Sequence, residues 1–130
     1  MEVREGPGWR LAVDPGRQPF VVLVGGGDSD TGEWAAELTG EEARALQRGV
    51  QALVDQHRAL VETLMEEEAI DLAMEQACDG GQLWLSLEGD RSRWRLRFVL
   101  CPGPGRRGVE GGWGCPASAA LAGTLASLSL

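Results

Sequence analysis

The segment from residue 81 to residue 100, GQLWLSLEGDRSRWRLRFVL, constrains the fold most because apolar and polar side chains alternate along both of its halves. Successive residues of a strand point to opposite faces, so the pattern predicts two strands, each with one apolar face and one polar face. Gly89 and Asp90 between them are typical of a two-residue hairpin turn. We therefore expect an antiparallel hairpin whose apolar face packs against another layer of the fold.

The polar face of the second predicted strand carries an arginine at every second position: Arg91, Arg93, Arg95 and Arg97. With a turn at Gly89 and Asp90, Trp84 faces Arg95 and Glu88 faces Arg91. Cations beside an exposed indole suit a single-stranded nucleic acid, because cations bind its backbone and aromatic rings stack on its bases. The alternative is a solvated face on which Arg95 stacks over Trp84 and Glu88 pairs with Arg91.

The first half of the chain predicts three strands and a long helix. Strands are expected at residues 9–13, 20–24 and 34–38, with a turn at Asp14, Pro15 and Gly16 between the first two. Thr39 with Glu42 three residues later forms a capping-box signature. Apolar residues then follow three-and-four spacing to about Met65, which predicts a helix over 40–65 that packs partly against a second helix.

The second half repeats that order. A strand is expected from about Ala69, followed by the hairpin, a loop rich in Pro and Gly, and a short helix from Pro116. The halves align at an offset of about 75 residues, which suggests pseudo-repeats over 1–65 and 69–130. The predicted class is therefore α+β: one domain, residues 1–130, with two antiparallel β-sheets and a helix pair arranged as a pseudo-twofold βββα repeat.

Composition limits the functions that the chain can have. The formal net charge is −8, which opposes the approach of a polyanion, and most of the acids lie between residues 28 and 78. The N-terminus lacks the profile of a signal peptide, and no apolar run is long enough to span a membrane, so a cytoplasmic protein without membrane contact is expected. The single histidine and the three cysteines, without CxxC spacing, do not form a zinc set of the usual kind.

No catalytic constellation is present, so we expect neither an enzyme nor a cofactor. His57 lies on the apolar stripe of the long helix with no nucleophile near it in sequence, which favours a packed, hydrogen-bonded core or interface residue. Cys78, Cys101 and Cys115 are expected to be reduced, structural thiols. Trp113 follows a flexible glycine pair, which favours packing where the two halves meet; the alternative is an exposed anchor for a protein partner.

Three motifs together resemble a small family of cyanobacteria and plants, domain of unknown function 1818: VREGPGWRLAVD near the N-terminus, WAAELT before the long helix and RGVEGGW before the last helix. The resemblance covers nearly the whole chain. It implies the fold shared by the whirly proteins and the positive-cofactor-four type of transcriptional coactivator, which bind single-stranded DNA. The lysine-rich strand motif of the whirly proteins has no counterpart, because this chain contains no lysine.

These observations favour a non-enzymatic binding protein, with single-stranded nucleic acid as the first ligand class and a transcription-related role implied by the resemblance. The candidate binding residues are Trp84, Arg93, Arg95 and Arg97, with Arg10 as an equivalent in the first half. The alternative is a protein-interaction module without nucleic-acid binding, which uses the acidic helix or Trp113.

Overall fold

The described residues of the chain form eight strands, two α-helices and a short 3₁₀ turn. A computed structural model describes residues 1–14, 16, 21–28 and 32–130, with Asp28 described by its backbone alone. The elements in order are β1 (Glu2–Gly6), β2 (Trp9–Val13), β3 (Val21–Asp28), β4 (Gly32–Thr39), α1 (Gly40–Leu60), a 3₁₀ turn (Val61–Thr63), β5 (Ile70–Cys78), β6 (Gly81–Gly89), β7 (Trp94–Cys101), β8 (Val109–Trp113) and α2 (Cys115–Ser127). Two predicted residues, Pro15 of the first turn and Phe20 of the second strand, lie outside the described residues.

The strands form two antiparallel sheets of four. Sheet A has the order β1-β2-β3-β4 and sheet B the order β5-β6-β7-β8. The predicted class, two antiparallel sheets with a helix pair, is confirmed, but each sheet has one strand more than predicted. The strands missed were β1, an exposed edge strand of mostly charged residues, and β8, whose sequence VEGGW was assigned to a glycine-rich loop.

The two sheets correspond to each other pair by pair. Leu11 faces Val24 in sheet A, and Leu85 faces Phe98 in sheet B, 74 positions later on both strands. On the next strand pair, Leu38 corresponds to Trp113, an offset of 75. An alignment of the two halves at an offset of 75 residues therefore matches equivalent positions from β4 onward, whereas β2 and β3 require an offset of 74.

The hairpin of β6 and β7 has the predicted faces but a different register. Asp90–Arg93 form a four-residue connection, so that Gly89 pairs with Trp94 and Leu85 pairs with Phe98. The expected two-residue turn at Gly89 and Asp90 is wrong, and each residue pairs four positions further along than predicted. Because side chains alternate with a period of two, a shift of four leaves the apolar and polar faces unchanged.

Helix α1 begins as the sequence predicts and ends sooner. Thr39 Oγ1 accepts from the Glu42 backbone N–H at 3.1 Å, and the Glu42 carboxylate accepts from the Thr39 N–H at 2.9 Å, which completes the capping box. The α-helix stops at Leu60 instead of Met65, a length of about 32 Å at 1.5 Å per residue. It packs against β5, β6 and α2, so the predicted helix pair is present.

The two sheets meet at a cluster of aromatic rings. Trp113 stacks on Phe98 with ring centroids 5.7 Å apart, and Trp34 lies 5.3 Å from Trp113. Each indole donates across the seam: Trp34 Nε1 to the Gly112 carbonyl at 3.1 Å, and Trp113 Nε1 to the Gly25 carbonyl at 3.0 Å. These bonds satisfy both buried N–H groups and fix the two sheets relative to each other.

Within the described part of the chain, neither helix has the length and hydrophobicity needed to cross a membrane.

Candidate nucleic-acid interface

The predicted binding residues lie on one side of sheet B, the side turned away from the helices. We call this the outer face of sheet B and define it by the alternate side chains of its four strands. Strand register assigns to it Asp71, Ala73, Glu75, Ala77, Gln82, Trp84, Ser86, Glu88, Arg95, Arg97, Val99, Cys101, Glu110 and Gly112, of which Ser86 is buried. The opposite, inner face contains the leucines and Phe98 of the core.

Arg95 and Arg97 stand side by side on this face, as predicted. Both are exposed, and neither forms a hydrogen bond or an ion pair with another residue in the described ranges. Arg97 extends over Gly112 of β8, where an added Cβ would lie 3.0 Å from Arg97 Cγ. The two guanidinium groups are therefore unpaired cations available to an anionic ligand.

Arg93 does not belong to this row, and its predicted position is wrong. It closes the connection between β6 and β7, where the Asp90 carboxylate accepts from the Arg93 N–H at 2.8 Å and from the Ser92 N–H at 2.9 Å. The Asp90 N–H in turn donates to the Arg93 carbonyl at 2.9 Å. These backbone donors stabilise the carboxylate and lower the pKa of Asp90. An Asp at the start of a turn is the sequence signal for this connection.

Trp84 lies on the outer face but not opposite Arg95. It pairs with Glu75 on one side and Val99 on the other, and its side chain is half-buried. Arg97 is its diagonal neighbour, at a separation of about 7–8 Å between backbones. No cation–π contact between Trp84 and Arg95 occurs among the described residues, so the predicted alternative in which Arg95 stacks over Trp84 is wrong.

Carboxylates lie on both sides of the arginines of β7, on β5 and β6 to one side and on β8 to the other. Glu88 faces Arg95 across the β6–β7 pair, although no ion pair joins them, and Glu110 faces Val99 on β8. On β5, Asp71 and Glu75 are both exposed. The outer face therefore has a basic side along β7 and an acidic side along β5, with Trp84 between them.

A groove that the sequence did not predict lies next to Arg95 and Arg97. It has a volume of about 290 Å³ and is lined by Trp34, Arg95, Arg97, Glu110, Gly111 and Trp113, among others. Trp34 enters from sheet A, and an added Cβ at Gly111 would lie 2.7 Å from its ring. The signal for this close approach was the glycine pair before Trp113, which was assigned to a flexible loop.

Arg10 is not a second cationic position of the same kind. It lies on the outer face of sheet A, where its guanidinium forms an ion pair with Glu5 at 2.9 Å. Leu11 of sheet A is equivalent to Leu85 of sheet B. Arg10, which precedes Leu11, is therefore equivalent to Trp84, which precedes Leu85. Arg10 is thus partly neutralised, and it belongs to sheet A, whereas the other candidate binding residues belong to sheet B.

Trp113 is 3% exposed and belongs to the aromatic cluster between the sheets. Its role in packing is as predicted, and the alternative of an exposed anchor for a partner is wrong.

His57 is likewise buried, with Nε2 bonded to the Asp90 carbonyl at 2.9 Å and its ring 5.8 Å from Trp94. This contact ties the end of α1 to the β6–β7 connection and confirms the packed role predicted for the histidine.

A charged cluster that the sequence did not reveal joins α1 to the β7–β8 connection. The Glu42 side chain is 1% exposed and forms an ion pair with Arg106 at 2.9 Å, while Arg106 also reaches Asp79 at 3.5 Å. Its carboxylate partners raise the pKa of the Arg106 guanidinium. Beside them, burial and the neighbouring carboxylates raise the pKa of the Cys78 thiol, which keeps it protonated and unreactive.

All three cysteines are free thiols, as expected: Cys78 is buried, Cys115 is half-buried and Cys101 is exposed. Across the described residues, no group of three or more His, Cys, Asp or Glu side chains is placed to hold a metal ion.

Comparisons with known proteins identify the family. One solved structure, a protein with unknown function from Prochlorococcus sp. NATL2A described as belonging to the DUF155 family, is 34% identical to this chain. The superposition gives a TM-score of 0.84 and covers 98% of each chain. No curated protein matches the sequence. The family model described as "Domain of unknown function (DUF1818)" matches residues 4–128, and the chain therefore belongs to the DUF1818 family.

Proposed function

We propose that the protein is a non-enzymatic binding protein and that its ligand is a single-stranded nucleic acid, bound on the outer face of sheet B. The observation that carries the proposal is the pair of exposed, unpaired guanidinium groups of Arg95 and Arg97 beside the half-buried indole of Trp84. A cationic surface next to a flat ring is what single strands require. The fold relation to the whirly and positive-cofactor-four proteins, which the sequence resemblance to the DUF1818 family implies, favours the same ligand class and a transcription-related role.

The distribution of charge on the face suggests how the strand lies. Phosphates are attracted to Arg95 and Arg97 on β7 and repelled by Asp71 and Glu75 on β5. The backbone of the ligand therefore follows β7, between the carboxylates of β5 and Glu110 of β8, and its bases turn toward Trp84. The groove beside Trp34 and the arginines provides room for one further group of the ligand.

The affinity that follows from this arrangement is modest and depends on salt. Two phosphate contacts give a slope of log K against log salt of about −1.4, because each contact to a single strand contributes about −0.7. Stacking of one base on Trp84 contributes about 1–3 kcal/mol, which is a factor of about 5 to 150 in affinity. The net charge of −8 opposes the approach of the strand. The two phosphate contacts weaken as salt is added, so we expect measurable binding at low salt.

Fluorescence anisotropy with a labelled oligothymidylate of about twelve nucleotides tests the proposal over a range of salt concentrations. Trp84→Ala should weaken binding by the factor given for stacking, and Arg95→Gln with Arg97→Gln should bring the salt slope near zero. Arg91→Gln is the matched control, because Arg91 is exposed on the same hairpin but lies outside the strand face. The proposal fails if no binding occurs at about 20 mM salt, or if Trp84→Ala binds as well as the unmodified protein.

A further inference from the structure

Strand β5 is an open edge of the fold. It ends sheet B, has nine residues and contains neither proline nor an interior glycine. β6 pairs with one side of it and α1 covers part of its inner face. Alternate residues of such an edge present backbone N–H and C=O groups that are free to pair with another strand. β5 is also the longest of the four edge strands, since β4 has eight residues and β1 and β8 have five each.

The two faces of β5 differ in a way that defines what can pair with it. Leu72 and Met74 point to the inner face and are only half-buried against the core. On the outer face, Asp71 and Glu75 are exposed and alternate with small alanines. An added strand would therefore meet an apolar row on one face and a carboxylate row on the other.

The surrounding charge selects the partner. Residues 59–90 contain no arginine, and the segment leading into β5 carries Glu66, Glu67 and Glu68, all exposed. Pairing of β5 with the β5 of a second copy would bring two such acidic segments together, which electrostatic repulsion disfavours. A basic partner gains from the same charges. Charges on an edge strand suppress its pairing with the same strand of a second copy. The acidic charges of β5 do not oppose pairing with a strand that carries basic residues.

We propose that β5 is a docking edge for an extended basic peptide segment of another protein, which adds as a fifth strand to sheet B. Its backbone pairs with β5, its apolar side chains continue the row of Leu72 and Met74, and its alternate lysines or arginines face Asp71 and Glu75. Main-chain bonds supply affinity in this mode of recognition, and the alternating side chains supply specificity. The surface is separate from Arg95 and Arg97, so it does not depend on nucleic-acid binding.

A synthetic peptide of about nine residues with alternating lysine and valine, blocked at both ends, serves as the probe. We expect it to bind, and we expect amide signals of Ile70–Cys78 to shift during an NMR titration. Asp71→Asn combined with Glu75→Gln should weaken binding about three- to tenfold, the effect of two partly exposed ion pairs. Glu110→Gln, at the opposite edge of the sheet, is the matched control and should change nothing.

Two further peptides separate strand addition from charge attraction alone. A peptide N-methylated at alternate residues cannot pair along its edge, and it should bind at least about tenfold more weakly, as expected when several main-chain bonds are lost. A peptide with glutamate in place of lysine should not bind. Equal binding of the N-methylated peptide, shifts confined to another surface, no binding of the lysine peptide at about millimolar concentration, or a concentration-dependent dimer that uses β5 would each overturn the proposal.

Discussion

The substitution Gly49→Ala tests how closely α1 lies on sheet B. Gly49 is in the middle of the helix, and a Cβ added there would lie 2.8 Å from Gln76 Nε2 and would collide with Cδ1 of Leu85. Leu85 is fully buried in the centre of β6, so any movement of its side chain must be accommodated within the core. Gln76 Nε2 also donates to the Ala45 carbonyl, a bond that the new methyl group would displace.

The expected cost follows from three contributions. Ala stabilises a helix interior by about 1 kcal/mol relative to Gly. Overpacking of a close-packed core costs about 1–3 kcal/mol, and the lost hydrogen bond costs about 1 kcal/mol. Gly49→Ala should therefore lower the free energy of unfolding by about 1–3 kcal/mol, measured by urea denaturation at 25 °C.

Gly123→Ala is the matched control. Gly123 is also within a helix, α2, but it is exposed and nothing lies within 4 Å of an added Cβ. Only the helix-propensity gain remains, so this variant should be about 1 kcal/mol more stable than the unmodified protein. Equal stabilisation by both substitutions would refute the close contact between α1 and β6.

Three further predictions concern stability and thiol chemistry. Arg106→Met should destabilise the fold by about 2 kcal/mol, because it leaves the buried Glu42 carboxylate without its cation, whereas Arg107→Met should have no measurable effect in the same denaturation assay. Asp90→Ala should lower the melting temperature at pH 7, and the loss should become progressively smaller below about pH 4. The pKa of Asp90 is lowered on folding, so the stability that its carboxylate contributes is present above the unfolded-state pKa. That stability is lost as pH falls through the folded-state pKa. Cys78 should resist iodoacetamide in the folded protein and react on unfolding, as mass spectrometry of the labelled chain would show. Alkylation of Cys78 at the rate of an exposed thiol, or an Asp90→Ala deficit that does not shrink as pH falls below the unfolded pKa, would contradict these expectations.

The strand faces and the helix cap could be predicted from the sequence because both are local patterns. Alternation fixed the inward side of β6 and β7 even though the register was four residues out, since any even shift preserves the faces. The capping box is likewise contained in four consecutive residues, Thr39 to Glu42. In both cases the information lies within one element.

The glycine-rich strands could not be predicted, because their structure depends on distant residues. Gly111 and Gly112 of β8 permit the close approach of Trp34, which is about 77 positions away in sequence and lies in the other sheet. Composition alone makes such a segment look like a loop. Only the packing of the two sheets explains why these residues form a strand.

The candidate interface was predicted in part. Arg95, Arg97 and Trp84 share a face because they lie within regular strands, whereas Arg93 was misplaced because the side chain of Asp90 bonds the backbone of the connection. The ion pair between Arg10 of β2 and Glu5 of β1 was missed because β1 was not predicted as a strand. Each error therefore began with a turn or an edge strand.

The most direct test of the proposed interface is an NMR titration that follows the indole N–H signals of nitrogen-15-labelled protein as an oligothymidylate is added at low salt. We predict that the Trp84 signal moves and saturates, because a base stacks on the accessible part of its half-buried ring. The Trp94 signal should stay in place, since its ring packs against His57 on the inner side of sheet B, away from the proposed interface. A titration in which the Trp84 signal does not move, at a salt concentration where the arginines are unscreened, would contradict the account.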